Sequence, residues 1–173
     1  MDRKIGQKGI TLLEIIVVLA ILVIMASFVI PALGRWKRKY DIENTIKEIY
    51  AALNEARMKA FNEKRVCGLT WSGNAVSIIH LRCDTDGDGE VVDVSDNGTK
   101  EYWNRTLNLV LNENFDSNYC RFNYKGLALD LGSVDHRTFY YSGTDPGAEY
   151  SCVTVSFTRI KMGKWDGEDC QVR

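Results

Sequence analysis

Residues 15–33 read IIVVLAILVIMASFVIPAL, a run of nineteen residues that carries no charge. A helix of about 20 apolar residues is long enough to cross the hydrocarbon core of a bilayer. A secretory signal has a shorter apolar core, of about 7–15 residues, followed by a small-residue cleavage site. This run is longer and lacks such a site. The sequence therefore predicts a membrane-spanning helix, and any processing site is expected in front of it.

The residues in front of the apolar run combine a glycine with a lone glutamate. Residues 8–14 read KGITLLE, so Gly9 precedes Ile10 and Glu14 is the fifth residue after the glycine. This pattern resembles the prepilin peptidase signature of the type IV pilin-like superfamily, although Phe or Met usually follows the glycine there. The resemblance implies that residues 1–9 are a leader removed on the cytoplasmic side, and that Ile10 becomes a methylated N-terminus.

Glu14 lies at the start of the predicted membrane span, where a charged side chain costs free energy. A lone carboxylate there is costly unless it is paired or lies near the interface. The resemblance implies that Glu14 pairs with the free amine of Ile10 of a neighbouring subunit, and in the low-dielectric centre of a filament this attraction would select the register. The alternative is an interfacial glutamate that reaches water.

Pro31 lies twenty-one residues after Ile10, where many pilins carry a proline. Proline removes a backbone donor and clashes with the preceding helical turn. We expect the helix to kink or loosen between residues 29 and 34, which would let subunits extend within a filament. The simpler alternative is an exit from the membrane. Residues 10–34 are thus predicted to form the transmembrane and filament-core helix.

The charges that flank the span do not decide its orientation. Four basic residues lie at positions 35–39, against three in front of the span, so the positive-inside rule does not favour a cytoplasmic N-terminus. Processing by a prepilin peptidase, which the resemblance implies, requires that orientation. We therefore predict a single-pass protein of the bacterial inner membrane whose C-terminal domain is periplasmic and which later enters a filament.

Residues 35–64 are predicted to continue the helix in amphipathic form. Apolar side chains recur at helical spacing, with charged and amide side chains between them. The apolar stripe consists of Trp36, Tyr40, Ile46, Ile49, Tyr50, Leu53, Ala56 and Ala60. We expect this stripe to be buried against the rest of the chain.

Residues 65–173 change to short β-type runs separated by turn residues. The predicted strands are residues 66–71, 75–81, 107–111, 121–124, 138–141 and 151–159. The predicted fold class is α+β, type IV pilin-like: a long N-terminal helix packed on an antiparallel β-sheet or small sandwich. This β-rich part is expected to be one periplasmic domain.

Residues at the end of the helix and in the strands make the resemblance more specific within the superfamily. Residues 53–60 read LNEARMKA, and the segment resembles the helix end of type II secretion system protein H, the minor pseudopilin H, and its minor-pilin relatives. A turn at Trp71, a Phe122-x-x-x-Gly126 segment and a cysteine-bearing strand at residues 151–157 follow in the same order. The resemblance implies a structural subunit without catalytic activity. Its implied partners are other pilins or pseudopilins, prepilin peptidase, and an inner-membrane assembly platform with its ATPase.

Five cysteines, all beyond the span, indicate an oxidising compartment. None forms a C-x-x-C pair, so zinc or thioredoxin-like chemistry is not indicated. Disulfides on the outer side of the membrane are the preferred interpretation, and buried thiols are the alternative. The odd number leaves at least one cysteine without a disulfide partner within the chain, and the sequence does not give the pairing.

An acidic turn follows the second predicted strand. Asp84, Asp86 and Asp88 with Gly89 form D-x-D-x-D-G, which is typical of the first half of a calcium loop. The twelfth position is Ser95 rather than an acid, and Asp93 or Asp96 could replace it only with altered geometry. Calcium is therefore one interpretation. The other is an acidic β-turn without a cofactor.

Basic residues near the C-terminus suggest a second class of function. Arg159, Lys161 and Lys164, with Trp165 nearby, could bind phosphates and stack a base, as a pilus-tip minor pilin that captures DNA or another ligand would require. Basic residues also protect strand edges from pairing, which is the preferred interpretation. The net charge of −1 for the 173 residues gives no support to nucleic acid as a partner.

Overall fold

The structure is a computed structural model that describes residues 11–73, 75–91, 98–129 and 131–172, without the side chains of residues 28–31. The chain divides into two compact units, Met1–Lys37 and Arg38–Arg173, and each is described by itself. The elements are α1 (Leu12–Glu63), β1 (Cys67–Trp71), β2 (Ala75–Asp84), β3 (Thr99–Glu113), β4 (Tyr119–Phe122), β5 (His136–Tyr140), β6 (Cys152–Ser156), β7 (Ile160–Trp165) and β8 (Cys170–Val172).

Helix α1 has a capping residue at its start and a left-handed residue after its end. The backbone N–H of Glu14 donates to the hydroxyl of Thr11 at 3.3 Å, and threonine is a favoured N-cap because its oxygen satisfies an orphan donor of the first turn. Lys64 follows the helix with φ of 54°, the left-handed conformation that commonly ends helices. Thr11 therefore caps the start of the helix, and the left-handed conformation of Lys64 marks its end.

The first unit presents an apolar helical surface. Among the described residues α1 is the one helix long and apolar enough to cross a membrane, and none of its most apolar window is buried. The large apolar side chains from Leu12 to Met25 are each about half exposed or more. A helix that is apolar all round is stable when lipid or neighbouring helices surround it. This segment fits the predicted single-pass membrane anchor.

In the second unit, α1 buries one stripe against the sheet. The fully buried side chains of this stripe include Ile42, Ile46, Ile49, Ala52, Leu53, Ala56 and Ala60. Each buried Ile or Leu contributes about 1.5–3 kcal/mol through removal of apolar surface from water. The predicted stripe is correct from Ile46 onward. Trp36 and Tyr40 are not part of it, since they are 66% and 57% exposed and the buried stripe begins at Ile42.

In the described part of the chain, the strands form one antiparallel sheet of eight strands in the order β4-β1-β2-β3-β5-β6-β7-β8. Leu69, Ile79, Leu81 and Val153 are buried in the same core cluster as the helix stripe. The predicted fold class, a long helix on an antiparallel sheet, is confirmed, and the sheet alternative rather than the sandwich is correct.

Three strand predictions need correction. The predicted strand 121–124 overlaps β4, which spans Tyr119–Phe122, only at residues 121 and 122. The predicted strand 107–111 is the second half of β3, which spans Thr99–Glu113. The predicted strand 151–159 ends earlier, because Ser156 and Arg159 are joined by a backbone hydrogen bond of 2.8 Å that closes a two-residue turn. The chain then returns as β7 beside β6, and β8 adds to β7. These last two strands were not predicted.

Two disulfides join neighbouring parts of the sheet. Cys67–Cys83 links β1 to β2, and Cys152–Cys170 links β6 to β8. Cys120 is buried and lies outside both disulfides. The prediction of disulfides with one odd cysteine is confirmed.

Candidate functional sites

The predicted assembly site lies at the start of α1. Gly9 and Ile10, the predicted processing junction, lie outside the described residues. Glu14 occupies the first turn of the helix, where a carboxylate interacts favourably with the helix dipole. Within the described part of the chain no group pairs with its carboxylate, and the exposed apolar side chains of Ile15 and Val18 lie next to it. Pairing of Glu14 with an amine of another subunit stays a prediction.

Pro31 lies within α1, which is helical on both sides of it. The proline therefore does not end the element. Its side chain belongs to the four that the structure leaves undescribed. The predicted change in helix direction between residues 29 and 34, and its use in a filament, stay predictions.

The acidic turn is closed by hydrogen bonds to Asp84. This residue is 3% exposed, and its two carboxylate oxygens accept the backbone N–H groups of Gly87 at 2.7 Å and Gly89 at 2.8 Å. Asp86 and Asp88 are exposed. Each of these two accepts an N–H bond from the residue two positions later. The turn thus satisfies its own backbone donors, which is the role that Asp commonly has in turns.

Neighbouring segments anchor this turn. The Cys67–Cys83 disulfide immediately precedes it. The N–H of Thr85 donates to the carbonyl of Gly98 at 2.6 Å, and a guanidinium nitrogen of Arg121 donates to the carbonyl of Gly89 at 2.7 Å. The turn is therefore held from β1, from β4 and from the residue before β3.

The pKa values of two carboxylates of the turn are shifted in opposite directions. Burial alone would raise the pKa of Asp84, but the hydrogen bonds from Gly87 and Gly89 outweigh it and lower the pKa. A hydrogen bond from the Asp88 N–H would lower the pKa of Asp86, but desolvation and the neighbouring carboxylates of Asp84 and Asp88 outweigh it and raise the pKa. The repulsion that Asp86 experiences is the kind that a bound cation relieves.

The turn offers oxygen ligands for a hard cation. One ligand atom from each of Asp84, Asp86 and Asp88 lies within 4.8 Å of the others, and calcium prefers such carboxylate oxygens. Asp93, the fourth predicted ligand, lies outside the described residues. Because hydrogen bonds within the turn already account for its conformation, calcium binding stays a prediction.

The three basic residues predicted as a site near the C-terminus do not all lie on the same face of the sheet. Arg159 and Lys161 line a pocket of about 420 Å³ together with His136, Thr154 and Ser156, whereas Lys164 lies 3.6 Å from the carboxylate of Asp145. In a strand, residues 161 and 164 point to opposite faces. Two of the three predicted cations therefore share a site, and the third does not.

The aromatic residue of this predicted site already has a stacking partner. Trp165 stacks on Tyr140 with ring centroids 3.9 Å apart and an angle of 16° between the planes. One indole face is thus covered by the protein. The pocket beside Arg159 and Lys161 also contains the acidic side chains of Asp135 and Asp169. Both features make a nucleic-acid surface less favourable.

The structure reveals a polar cluster on β2 and β3 that was not anticipated. Oε2 of Glu101 lies 3.1 Å from Nδ1 of His80 and accepts a hydrogen bond of 3.1 Å from Nε of Arg82. The sequence places His80 and Arg82 on the same face of a strand, because residues i and i+2 of a strand share a face. The sequence does not show that Glu101 joins them, because it follows His80 by 21 residues in the chain.

Comparisons with known proteins agree on one superfamily. Type II secretion system core protein G of Dickeya chrysanthemi is 38% identical over 65 residues, 38% of this chain and 41% of that protein. The core protein G of Aeromonas hydrophila is 40% identical over 63 residues, 36% of this chain and 44% of that protein. The match thus spans about two fifths of the length of each curated relative. No model of a known protein family matches the chain.

Two solved structures that resemble the chain are crystal structures of the type IV minor pilin FimU from Pseudomonas aeruginosa in two space groups. Their TM-scores are 0.51 and 0.52, at 15% and 13% identity, and they cover 70% and 75% of this chain and 91% and 92% of FimU. The fold is therefore that of the type IV pilins, and the predicted resemblance to the type IV pilin-like superfamily is confirmed.

Proposed function

We propose that this chain is a minor pseudopilin of type II secretion, similar in role to protein H. It is cut after Gly9 by prepilin peptidase, and it joins a short periplasmic filament whose assembly requires an inner-membrane platform and its ATPase. The core protein G matches support the secretion system, and the resemblance of residues 53–60 to the helix end of protein H supports the minor role.

The observation that carries the proposal is the exposed apolar surface of α1 around a single carboxylate. The most apolar window of the helix has no buried part, so this surface requires lipid or the helices of other subunits. Glu14 is the acidic residue of its first turn. A neighbouring N-terminal amine would neutralise that carboxylate in a low-dielectric setting, where removal of one partner of an ion pair is strongly destabilising.

The test is assembly of the full chain together with a tagged core pseudopilin, prepilin peptidase, the platform and its ATPase. We expect the wild-type chain to be extracted from membranes only by detergent and to co-purify with the core pseudopilin. Glu14→Gln removes the charge and keeps the shape, so we expect it to be cleaved normally but to co-purify at least tenfold less. Glu48→Gln, farther along the same helix, is the matched control and should behave as wild type.

Two results would contradict parts of this proposal. Release of the chain by alkaline carbonate would exclude a membrane anchor and with it the whole proposal. Normal co-purification of Glu14→Gln would exclude the pairing mechanism and leave the family assignment intact.

Capture of DNA at a pilus tip is the second function that the sequence suggested. The separation of Lys164 from Arg159 and Lys161 and the covered face of Trp165 do not favour it. We expect the full chain in detergent micelles to produce no salt-sensitive shift of DNA in a gel. A shift that is lost in an Arg159→Gln, Lys161→Gln double variant would favour this second function over secretion.

A further inference from the structure

Basic and aromatic residues follow the apolar part of α1 without a break in the helix. Residues 34–40 read GRWKRKY, and α1 continues through them. The side chains from Ala32 to Arg38 are all exposed. Like charges this close together on a helix repel each other. A negatively charged partner would remove that repulsion.

Contacts within the chain divide these cations into two pairs. Arg38 donates a hydrogen bond of 2.9 Å to the phenol oxygen of Tyr141, and Lys39 lies 3.8 Å from the carboxylate of the glutamate four positions later. Arg35 and Lys37 belong to the first unit. Their side chains make no hydrogen bond or ion pair within the part of the chain that the structure describes. Arg35 and Lys37 are therefore the two cations of this segment that the described chain does not neutralise.

The directions of the two side chains restrict the kind of partner. An α-helix turns by about 100° per residue, so residues two positions apart point to nearly opposite sides of it. A single protein surface covers one side of a helix and would reach only Arg35 or Lys37. A layer that surrounds the helix reaches both. The headgroup region of a bilayer is such a layer.

The length of the apolar run places both cations at that level. Residues 15–33 extend about 28 Å as a helix, close to the hydrocarbon thickness of about 30 Å. When this run crosses the core, Arg35 and Lys37 lie about 3–6 Å beyond its end. Trp36 lies between them and is 66% exposed. Tryptophan is enriched at this depth because its ring is apolar and its N–H is polar.

We propose that Arg35 and Lys37 bind the phosphate groups of anionic phospholipids where α1 leaves the membrane. This role rests on the membrane anchor of the proposed function, but it requires neither filament assembly nor a particular side of the membrane. The guanidinium of Arg35 can donate to two phosphate oxygens at once, and the ammonium of Lys37 acts as a point charge. A zwitterionic headgroup carries its own cation, so it is expected to bind more weakly.

The test is the headgroup preference of the full chain in phosphatidylcholine vesicles. The vesicles contain a trace of phosphatidylglycerol or of phosphatidylcholine with the same spin-labelled acyl chain. Electron spin resonance measures the fraction of labelled lipid that the protein immobilises, and the two lipids differ only in their headgroups. We expect phosphatidylglycerol to associate about threefold more strongly at low salt, and the preference to disappear at about 0.5 M salt, where charges are screened.

Two double variants with the same change in net charge identify the residues responsible. Arg35→Gln with Lys37→Gln should abolish the preference, so that both lipids associate equally. Arg159→Gln with Lys161→Gln also removes one arginine and one lysine, and it should keep the wild-type preference. Arg35→Lys retains the charge and should keep most of the preference.

Three results would overturn the proposal. They are equal association of the two lipids with the wild type, the same loss in both double variants, and a preference that does not change with salt. Reduced co-purification of the Arg35, Lys37 double variant with the core pseudopilin, at an unchanged headgroup preference, would assign the two cations to a neighbouring subunit instead. Extraction with alkaline carbonate detects a missing anchor separately, since a chain that stays in the membrane without headgroup preference contradicts lipid binding alone.

Discussion

The phenol oxygen of Tyr102 on β3 lies 2.7 Å from each carboxylate oxygen of Glu63, the last residue of α1. The ammonium of Lys59 lies 3.4 Å from the same carboxylate and 3.5 Å from the centre of the Tyr102 ring. These three side chains fasten the end of the helix to the longest strand of the sheet. The polar first half of β3 thus contacts the helix through side chains while its backbone pairs with β2.

Tyr102→Phe removes the hydroxyl and keeps the ring over Lys59. We expect the free energy of unfolding to fall by about 1 kcal/mol, since the hydrogen bond is made to a charged group but lies near the surface. Chemical denaturation of the full chain in micelles measures this change. Tyr124→Phe removes a hydroxyl from a ring that is exposed and should leave stability unchanged. Equal stability of Tyr102→Phe and the wild type would show that the contact contributes nothing.

The same contact predicts a loss of stability in alkali. Burial, with the hydrogen bond and charge of Glu63, raises the pKa of Tyr102 to about 12, whereas an unfolded tyrosine titrates near 10. Because the folded-state pKa is the higher one, the contribution is complete below pH 10 and is lost as the pH rises toward 12. The stability difference between wild type and Tyr102→Phe should therefore shrink over that range. A difference that stays constant to pH 12 would contradict the assignment.

Gly163 on β7 lies beside the Cys152–Cys170 disulfide, where a side chain has no room. Cys152 pairs with Gly163 across β6 and β7, and the bond to Cys170 on β8 spans β7. A methyl group at position 163 would lie 2.9 Å from Sγ of Cys170 and 2.5 Å from the backbone oxygen of Gln171. We expect Gly163→Ala to lower the free energy of unfolding by about 1–3 kcal/mol, the usual cost of overpacking.

Gly143→Ala is the matched control for this substitution. Its new methyl group would meet the phenol end of Tyr141, a flexible side chain that can move aside. We expect its effect to be about 0.5 kcal/mol or less. Thermal unfolding of both variants with the disulfides intact gives the comparison, and equal effects would argue against a special requirement at Gly163.

Periodicity was sufficient to predict the helix, its buried stripe from Ile46 onward, and the strands that alternate in polarity. It failed at β3 and β7 for different physical reasons. The first half of β3 is rich in charged and aromatic residues, and its contacts with α1, such as the hydrogen bond of 2.7 Å from Trp103 to Glu55, join residues 48 positions apart. The turn before β7 has only two residues, Phe157 and Thr158, and contains neither glycine nor proline.

Among the candidate sites, the acidic turn was found because its residues are consecutive. The cluster of His80, Arg82 and Glu101 was missed because two strands, β2 and β3, contribute to it. A sequence pattern shows which residues of one strand share a face, but strand order decides which strands meet.

Calcium binding by the acidic turn is testable through stability. If Asp84, Asp86 and Asp88 bind calcium, a concentration of 100 times the dissociation constant should stabilise the folded chain by about 2.7 kcal/mol. Removal of the ion with a chelator should reverse the effect. Asp88→Asn changes an exposed ligand and should abolish it, whereas Glu168→Gln, in an acidic turn near the C-terminus, should preserve it. An unchanged unfolding temperature of the wild type in calcium would show that the residues serve the turn alone.

The central claim is that this chain is a processed subunit of a pilin-like filament, and the mass of its mature N-terminus tests that claim most directly. The full chain should be co-expressed with prepilin peptidase, extracted with detergent, and analysed by intact-mass and N-terminal peptide measurements. We expect a product that begins at Ile10, carries one added methyl group and has lost residues 1–9. A chain that keeps Gly9, or one cut on the C-terminal side of residues 15–33, would contradict the account.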